Sequence, residues 1–146
     1  MLRRGLKFFI PFLIVFLVDQ LTKYLALSYL SSSPFNLIDD FLKLNLVYNE
    51  GAAFSLLAGN TVFLLLISLA AMILIILLGF VLPLDASPFL GLILGGAFGN
   101  FYDRLRLGYV VDMIDFKFWP VFNVADIFIV IGALGLALFL LLEKSD

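Results

Sequence analysis

Between Asn60 and Asp85 the chain carries no charged side chain, and residues 61–82 are almost entirely Leu, Ile, Val, Phe, Ala and Met. A run of that length meets the roughly 20 residues needed to cross about 30 Å of hydrocarbon as a helix. Lipid offers no partner to a bare peptide group, so a helix is the form that satisfies the backbone within one segment. The pattern recurs: further apolar spans read at 8–27, 88–107 and 121–142, the third in chain order being the least hydrophobic. Of all residues 64% are hydrophobic and 14% charged, with a mean hydropathy of +1.17. A soluble domain is about half apolar, so a solvated shell could hardly be built here. The sequence therefore predicts an all-α membrane protein, with four transmembrane helices in one domain over residues 1–146.

Orientation follows from the basic residues. Arg3, Arg4 and Lys7 precede the first span, which favours a cytoplasmic N-terminus; Arg104, Arg106 and Lys117 then lie outside. This start is like that of a signal peptide. The apolar run, however, continues to about residue 27 with no small-residue cleavage pattern, so a retained helix is expected. Four spans return the tail Glu143-Lys144-Ser145-Asp146 to the cytoplasm, and the 83–88 loop is inside as well. Outside, Ser31-Ser32-Ser33-Pro34 is a break, and residues 42–48 alternate: Leu42, Leu44, Leu46 and Tyr48 on one side, Lys43, Asn45 and Val47 on the other. The 108–120 segment is also strand-like. A small extracytoplasmic β element is expected from the two. Gly91, Gly95 and Gly99, spaced by four, suit close helix packing.

The chemistry is narrowed by what is missing. The chain has no cysteine and no histidine, which removes thiolate catalysis, disulfides, Ser-His pairs and the usual zinc sites. A formal net charge of −2 gives no reason to expect nucleic acid. What remains is a set of polar residues that the predicted topology gathers at the outer end. Asp19 and Lys23 lie late in the first span, and Asn49 and Glu50 ahead of the second. Asn100, Asp103 and Arg104 end the third, Asp112 follows, and Asn123 and Asp126 open the fourth. Ionisable groups at membrane depth cost about 2.5–3.5 kcal/mol each on insertion scales, so a ring of them at one depth reads as a site. Blander readings stand beside this one. Asp19 and Lys23 can pair at i, i+4, or Lys23 can snorkel to the headgroups. Asp103 and Arg104 can anchor at the interface, and Asn100 and Asn123 can cap or cross-link helices. Asp126, inside Phe122-Asn123-Val124-Ala125-Asp126-Ile127-Phe128, is the hardest to explain without a function.

Four motifs then resemble one family. Val18-Asp19-Gln20-Leu21-Thr22-Lys23, Tyr48-Asn49-Glu50-Gly51-Ala52-Ala53-Phe54-Ser55, Gly95-Gly96-Ala97-Phe98-Gly99-Asn100-Phe101-Tyr102-Asp103-Arg104 with Gly108-Tyr109-Val110-Val111-Asp112, and Phe122-Asn123-Val124-Ala125-Asp126 resemble, in order, the signature blocks of the lipoprotein signal peptidases (signal peptidase II). The resemblance implies an aspartic endopeptidase that removes signal peptides from diacylglyceryl-modified bacterial prolipoproteins, cleaving before the lipidated cysteine. It implies Asp112 and Asp126 as the catalytic pair and Asn49, Asn100, Arg104 and Asn123 as substrate-binding residues. Asp19, Lys23, Gly51 and Asp103 are implied as support. The expected setting is the bacterial inner membrane, multi-pass, with the active site near the outer face. The expected partners are the prolipoprotein and membrane lipid, to a monomer with no metal and no cofactor. The stretch between Asp112 and Asp126 is shorter than in many members, which trims a surface loop.

Two carboxylates sharing one proton can hydrolyse a peptide without His, Cys or metal. Asp115 competes with Asp112 for this role. In an extended segment Asp112, Ile114 and Phe116 share one face, and Val111, Met113, Asp115 and Lys117 the other. Asp115 then has Lys117 as a partner near water, while Asp112 has apolar neighbours and turns toward Asp126. The rival readings are a transporter or proton pathway through Asp19, Asp103, Asp112 and Asp126, a non-catalytic assembly subunit, a Ser-Lys protease built on Ser55 with Lys23 or Lys43, and a carboxylate metal site.

Overall fold

The structure, a computed structural model, describes residues 2–38, 41–51 and 60–143. It contains helices α1 (Leu2–Tyr29), α2 (Thr61–Val81), α3 (Ser87–Leu107) and α4 (Val124–Glu143), and strands β1 (Phe35–Ile38), β2 (Leu42–Asn49) and β3 (Val110–Phe116). The strands form one antiparallel sheet in the order β1-β2-β3. Ala52, Ala53, Phe54 and Ser55 of the second motif, and Lys144, Ser145 and Asp146 of the tail, lie outside the described residues.

Three helices are long and apolar enough to cross a membrane: α1, α2 and α4. Their surfaces agree with that reading, since Leu66, Phe80 and Leu134 are 59%, 74% and 67% exposed. Large apolar side chains face outward here, where a soluble protein would turn them in. The helix α3 falls short by hydropathy because glycine, Asn100, Asp103, Arg104 and Arg106 interrupt it. It is nonetheless the hub, and α1, α2 and α4 all pack on it. A central helix is covered by protein, so it has less need of an apolar exterior.

Glycine makes that centre possible. A Cβ on Gly95 would lie 2.8 Å from Val15 Cβ, and one on Gly96 2.5 Å from Ala125 O. Gly91 and Gly95 thus face α1, and Gly96 faces α4, the close backbone approach that small residues allow between membrane helices. Boundaries follow local chemistry. The helix α1 begins six residues before the expected span, because the basic residues that end the hydrocarbon stretch continue the helix. Asn60 caps α2, its side chain accepting from Phe63 N at 3.4 Å. Gly108, at φ 87°, ends α3 and donates to Arg104 O at 3.0 Å. The helix α4 starts at Val124, later than expected, because Phe122 is held in a bridge to Ile114.

Candidate active site

The start of α4 is built as a capping box. Asp126 N donates to Asn123 Oδ1 at 3.0 Å, and Asn123 N donates to Asp126 Oδ2 at 3.1 Å. Two of the free N–H groups at a helix start are satisfied reciprocally in this way. Asp126 therefore has a structural task that its isolation in an apolar run concealed. Its other oxygen, Oδ1, accepts from Asn100 Nδ2 at 2.9 Å.

Asp112, on β3, is 1% exposed. Its Oδ1 accepts from Asn123 Nδ2 at 2.7 Å and its Oδ2 from Asn49 Nδ2 at 2.8 Å. Asn123 thus touches both carboxylates, while Asn100 joins Asp126 to Asn123 through its own oxygen at 3.0 Å. Burial pushes the Asp112 carboxyl up to about 6, and the charge of Asp126 pushes the same way against the Asn49 and Asn123 amides and the Lys23 ammonium.

Each amide is held in one orientation by what its oxygen accepts. Asn123 Oδ1 takes Asp126 N, Asn49 Oδ1 takes Gly51 N at 3.0 Å, and Asn100 Oδ1 takes Lys23 Nζ at 2.8 Å. An ammonium has only donors, so Asn100 must present its NH₂ to Asp126. Three side-chain amides therefore aim donors at two carboxylates with no freedom to turn over.

Behind this layer lies a second one. Lys23, 2% exposed, pairs with Asp19 at 2.9 Å and Asp103 at 3.0 Å. It is a buried hub and does not reach the membrane surface. Asp19 also accepts from Ala125 N at 3.0 Å, and Asp103 from Val111 N at 3.1 Å, so the cluster grips the first turn of α4 and the start of β3 together. Gln20 bridges the two carboxylates at 3.2 and 3.0 Å. Nothing in the sequence marked it beyond its place beside Asp19. Gly99, expected to serve close helix packing, stands where a Cβ would collide with the Asp19 carboxylate. Gly99→Ala is expected to displace that carboxylate and lower stability by about 1–3 kcal/mol, the usual cost of overpacking. Thermal unfolding beside Gly5→Ala, where a Cβ meets nothing within 4 Å, checks this.

A bulge brings Asn49 in. Leu44 pairs with Ile114 but Val47 with Asp112, so β2 spends one more residue than β3 between those pairs. Side chains beyond the irregularity switch faces, as β-bulges near sites commonly make them do. Asn49 consequently joins Asp112, while Lys43 and Asn45 stay with Asp115. The continuous alternation expected from residues 42–48 is broken at this point. Asp115 takes Lys43 at 3.3 Å and Asn45 at 3.2 Å as partners and is 9% exposed, more enclosed than expected. The face of Asp112 carries amides instead of the apolar neighbours expected there.

Arg104 donates from Nη2 to Gly51 O at 2.9 Å. Its Nε is buried and has no partner among the described residues. Glu50, placed in the polar ring by topology, is exposed. The other nine residues of that ring, Asp19, Lys23, Asn49, Asn100, Asp103, Arg104, Asp112, Asn123 and Asp126, come together at one end of the bundle with Gly51. Among the described residues no three His, Cys, Asp or Glu side chains group so as to hold a metal ion.

Known proteins share this fold. Two solved structures, both described as bacterial membrane enzymes, superpose with TM-scores of 0.82 and 0.80 at 30% and 32% identity. The first likeness covers 94% of this chain and 88% of that one, the second 92% and 91%. The fold is thus that of a multi-pass membrane enzyme. Residues 11–142 match the family model described as signal peptidase (SPase) II. A lipoprotein signal peptidase of Caldanaerobacter subterraneus subsp. tengcongensis is 50% identical over 83% of this chain and 86% of its own. One of Moorella thermoacetica is 41% identical over 97% of each. The chain belongs to the signal peptidase II family, a family of proteases.

Proposed function

We propose that the chain is an aspartic endopeptidase that cleaves diacylglyceryl-modified prolipoproteins before the lipidated cysteine, with Asp112 and Asp126 as its catalytic pair. One observation carries the reading. In a chain without His or Cys, two carboxylates from different elements converge on one buried residue, Asn123, Asp112 accepting from its side-chain amide and Asp126 from its backbone N–H. Like charges that act on each other across one shared neighbour favour a single shared proton, and the pair titrates as a unit. The ionised carboxylate takes a proton from water, and the oxygen attacks the scissile carbonyl carbon. The protonated carboxyl donates to the carbonyl oxygen. Collapse of the tetrahedral species breaks the C–N bond, the proton taken from water passes to the leaving amine, and the dyad is restored.

The other residues divide the labour. Asn49, Asn100 and Asn123 hold the dyad and line the substrate's path, and Arg104 has a buried Nε to give to a substrate carbonyl or the developing oxyanion. Asp19, Lys23, Asp103 and Gly51 fix these groups in place. The protein is a single membrane domain over residues 1–146, a monomer with α1 to α4 all spanning the bacterial inner membrane. Both termini are cytoplasmic, and the dyad and sheet are near the outer face. There Phe118 and Trp119, 72% and 58% exposed, suit a membrane–water boundary. Water reaches the dyad at that depth while the diacylglyceryl chains stay in the bilayer.

Incubating purified protein with a diacylglyceryl-modified prolipoprotein and weighing the products tests the proposal. Release of the signal peptide immediately before the modified cysteine is expected, and an intact substrate or a cut elsewhere would overturn it. Asp115→Asn is expected to keep most of this activity. It removes the charge of a pair with Lys43 and Asn45 that is separate from the dyad, and the amide that replaces it can still accept from one of them. The assay that weighs the products checks this, and a dead Asp115 variant beside an active Asp112 variant would reassign the dyad.

A further inference from the structure

At the end of the bundle opposite the dyad, α1 and α2 both pack on α3 and barely touch each other. Between them opens a groove of about 1160 Å³, walled by Leu2, Phe8, Ile76 and Phe80 and edged by Arg3 and Arg4. That is larger than the roughly 300–1,000 Å³ that suits a small-molecule ligand. Its apolar walls run into surface that already faces outward, with Leu2 81% and Phe80 74% exposed.

The charges at its edge do not cancel. Lys7 pairs with Asp85 at 2.6 Å. Arg4 donates from Nη1 to Gly79 O and Phe80 O, both at 3.3 Å, tying α1 to the last carbonyls of α2. Those bonds use one nitrogen of its fork. Arg3 has no hydrogen-bond or ion-pair partner among the described residues. Two guanidinium groups thus stand over an apolar cleft with donors in the fork geometry that matches a phosphate.

We infer that this groove binds a diacyl phospholipid with an acidic headgroup, its phosphate on Arg3 and Arg4 and its acyl chains between α1 and α2. Charge complementarity selects this occupant. A zwitterionic lipid fits the walls equally well but brings no net charge to the arginines, and a second protein helix would leave both cations without a partner. Basic pockets between membrane helices recognise acidic headgroups in the same way, each arginine contributing about a fivefold preference near the surface. The site is separate from the dyad and does not depend on the reaction proposed for it.

Native mass spectrometry of the protein in neutral detergent tests the inference, titrating phosphatidylglycerol against phosphatidylcholine with identical acyl chains. The acidic lipid is expected to be retained at least tenfold more tightly, given about fivefold from each arginine. Arg3→Gln with Arg4→Gln should bring the two lipids level. Because Arg4 also caps α2, Arg3→Gln alone is the safeguard against a variant that fails to fold, with an expected loss of about fivefold in preference. Gly79→Leu should weaken both lipids by filling the groove, since a Cβ at Gly79 already meets Phe8 Cε2 at 3.6 Å. Inorganic phosphate should leave thermal unfolding unchanged. Equal retention of the two lipids by the unaltered protein, a preference that survives loss of both arginines, or stabilisation by phosphate equal to that by the lipid would each overturn the site.

Discussion

Asp112→Asn is expected to reduce turnover by about 10²–10⁴-fold, the range that a general acid–base group supplies, while the protein stays folded. Both carboxylate oxygens of Asp112 accept from amide NH₂ groups. An asparagine there must turn its own NH₂ toward one of these donors. Neither neighbour can flip to accommodate it, because Asn49 is held by Gly51 N and Asn123 by Asp126 N. The variant loses about one hydrogen bond, roughly 0.5–1.5 kcal/mol. That loss is offset by removal of a buried charge that burial and Asp126 both disfavour. Asp126→Asn should abolish turnover similarly but cost more stability, because Asp126 Oδ2 is half of the capping box, and such caps contribute about 0.5–2 kcal/mol. Turnover and thermal unfolding measured on the same preparations separate the two effects. An Asp112 variant with near-normal turnover would remove it from the dyad.

Lys23→Met should be the most destabilising single change. It leaves Asp19 and Asp103, 0% and 1% exposed, without their shared cation. Removing one partner of a buried ion pair typically costs about 3–5 kcal/mol. The loss spreads to the dyad, because Lys23 also fixes the amide of Asn100. With no ammonium on its oxygen, Asn100 keeps its orientation only through the one bond from Asn123 Nδ2. Unfolding in detergent should show a large drop in the transition temperature, and adding Asp19→Asn should recover part of it by removing one stranded charge. A Lys23→Met protein that unfolds like the parent would mean the cluster bears little load.

The spans of α1, α2 and α4 were legible in the sequence because lipid imposes a demand that any apolar run of the right length displays. The grouping of the polar residues was legible too, because an up-and-down order of helices forces alternate ends together. Three features were hidden for physical reasons. The role of Gly99 depends on α1 bringing Asp19 opposite it, which is a tertiary fact. The bulge between Leu44 and Val47 is a change of register that residues 42–48 do not announce, and it sends Asn49 to Asp112 and leaves Lys43 for Asp115. The spacing Asn123-Val124-Ala125-Asp126 fits a capping box, but a carboxylate three residues after an amide reads the same in the sequence whether it caps a helix or reacts. Asp126 shows that a structural and a proposed chemical role can share one side chain, one oxygen for each.

The shared proton is tested most directly by the pH dependence of kcat/KM for prolipoprotein cleavage, measured with EDTA present. The free enzyme is active while the dyad holds one proton. With the Asp112 carboxyl raised to about 6, that proton is retained below pH 6 and lost as pH rises through it, so activity should fall along an upper limb centred near pH 6. EDTA should not alter the profile. A profile that stays level from pH 5 to 8, or activity lost to EDTA and restored by a divalent metal, would contradict an aspartyl pair that works by sharing one proton.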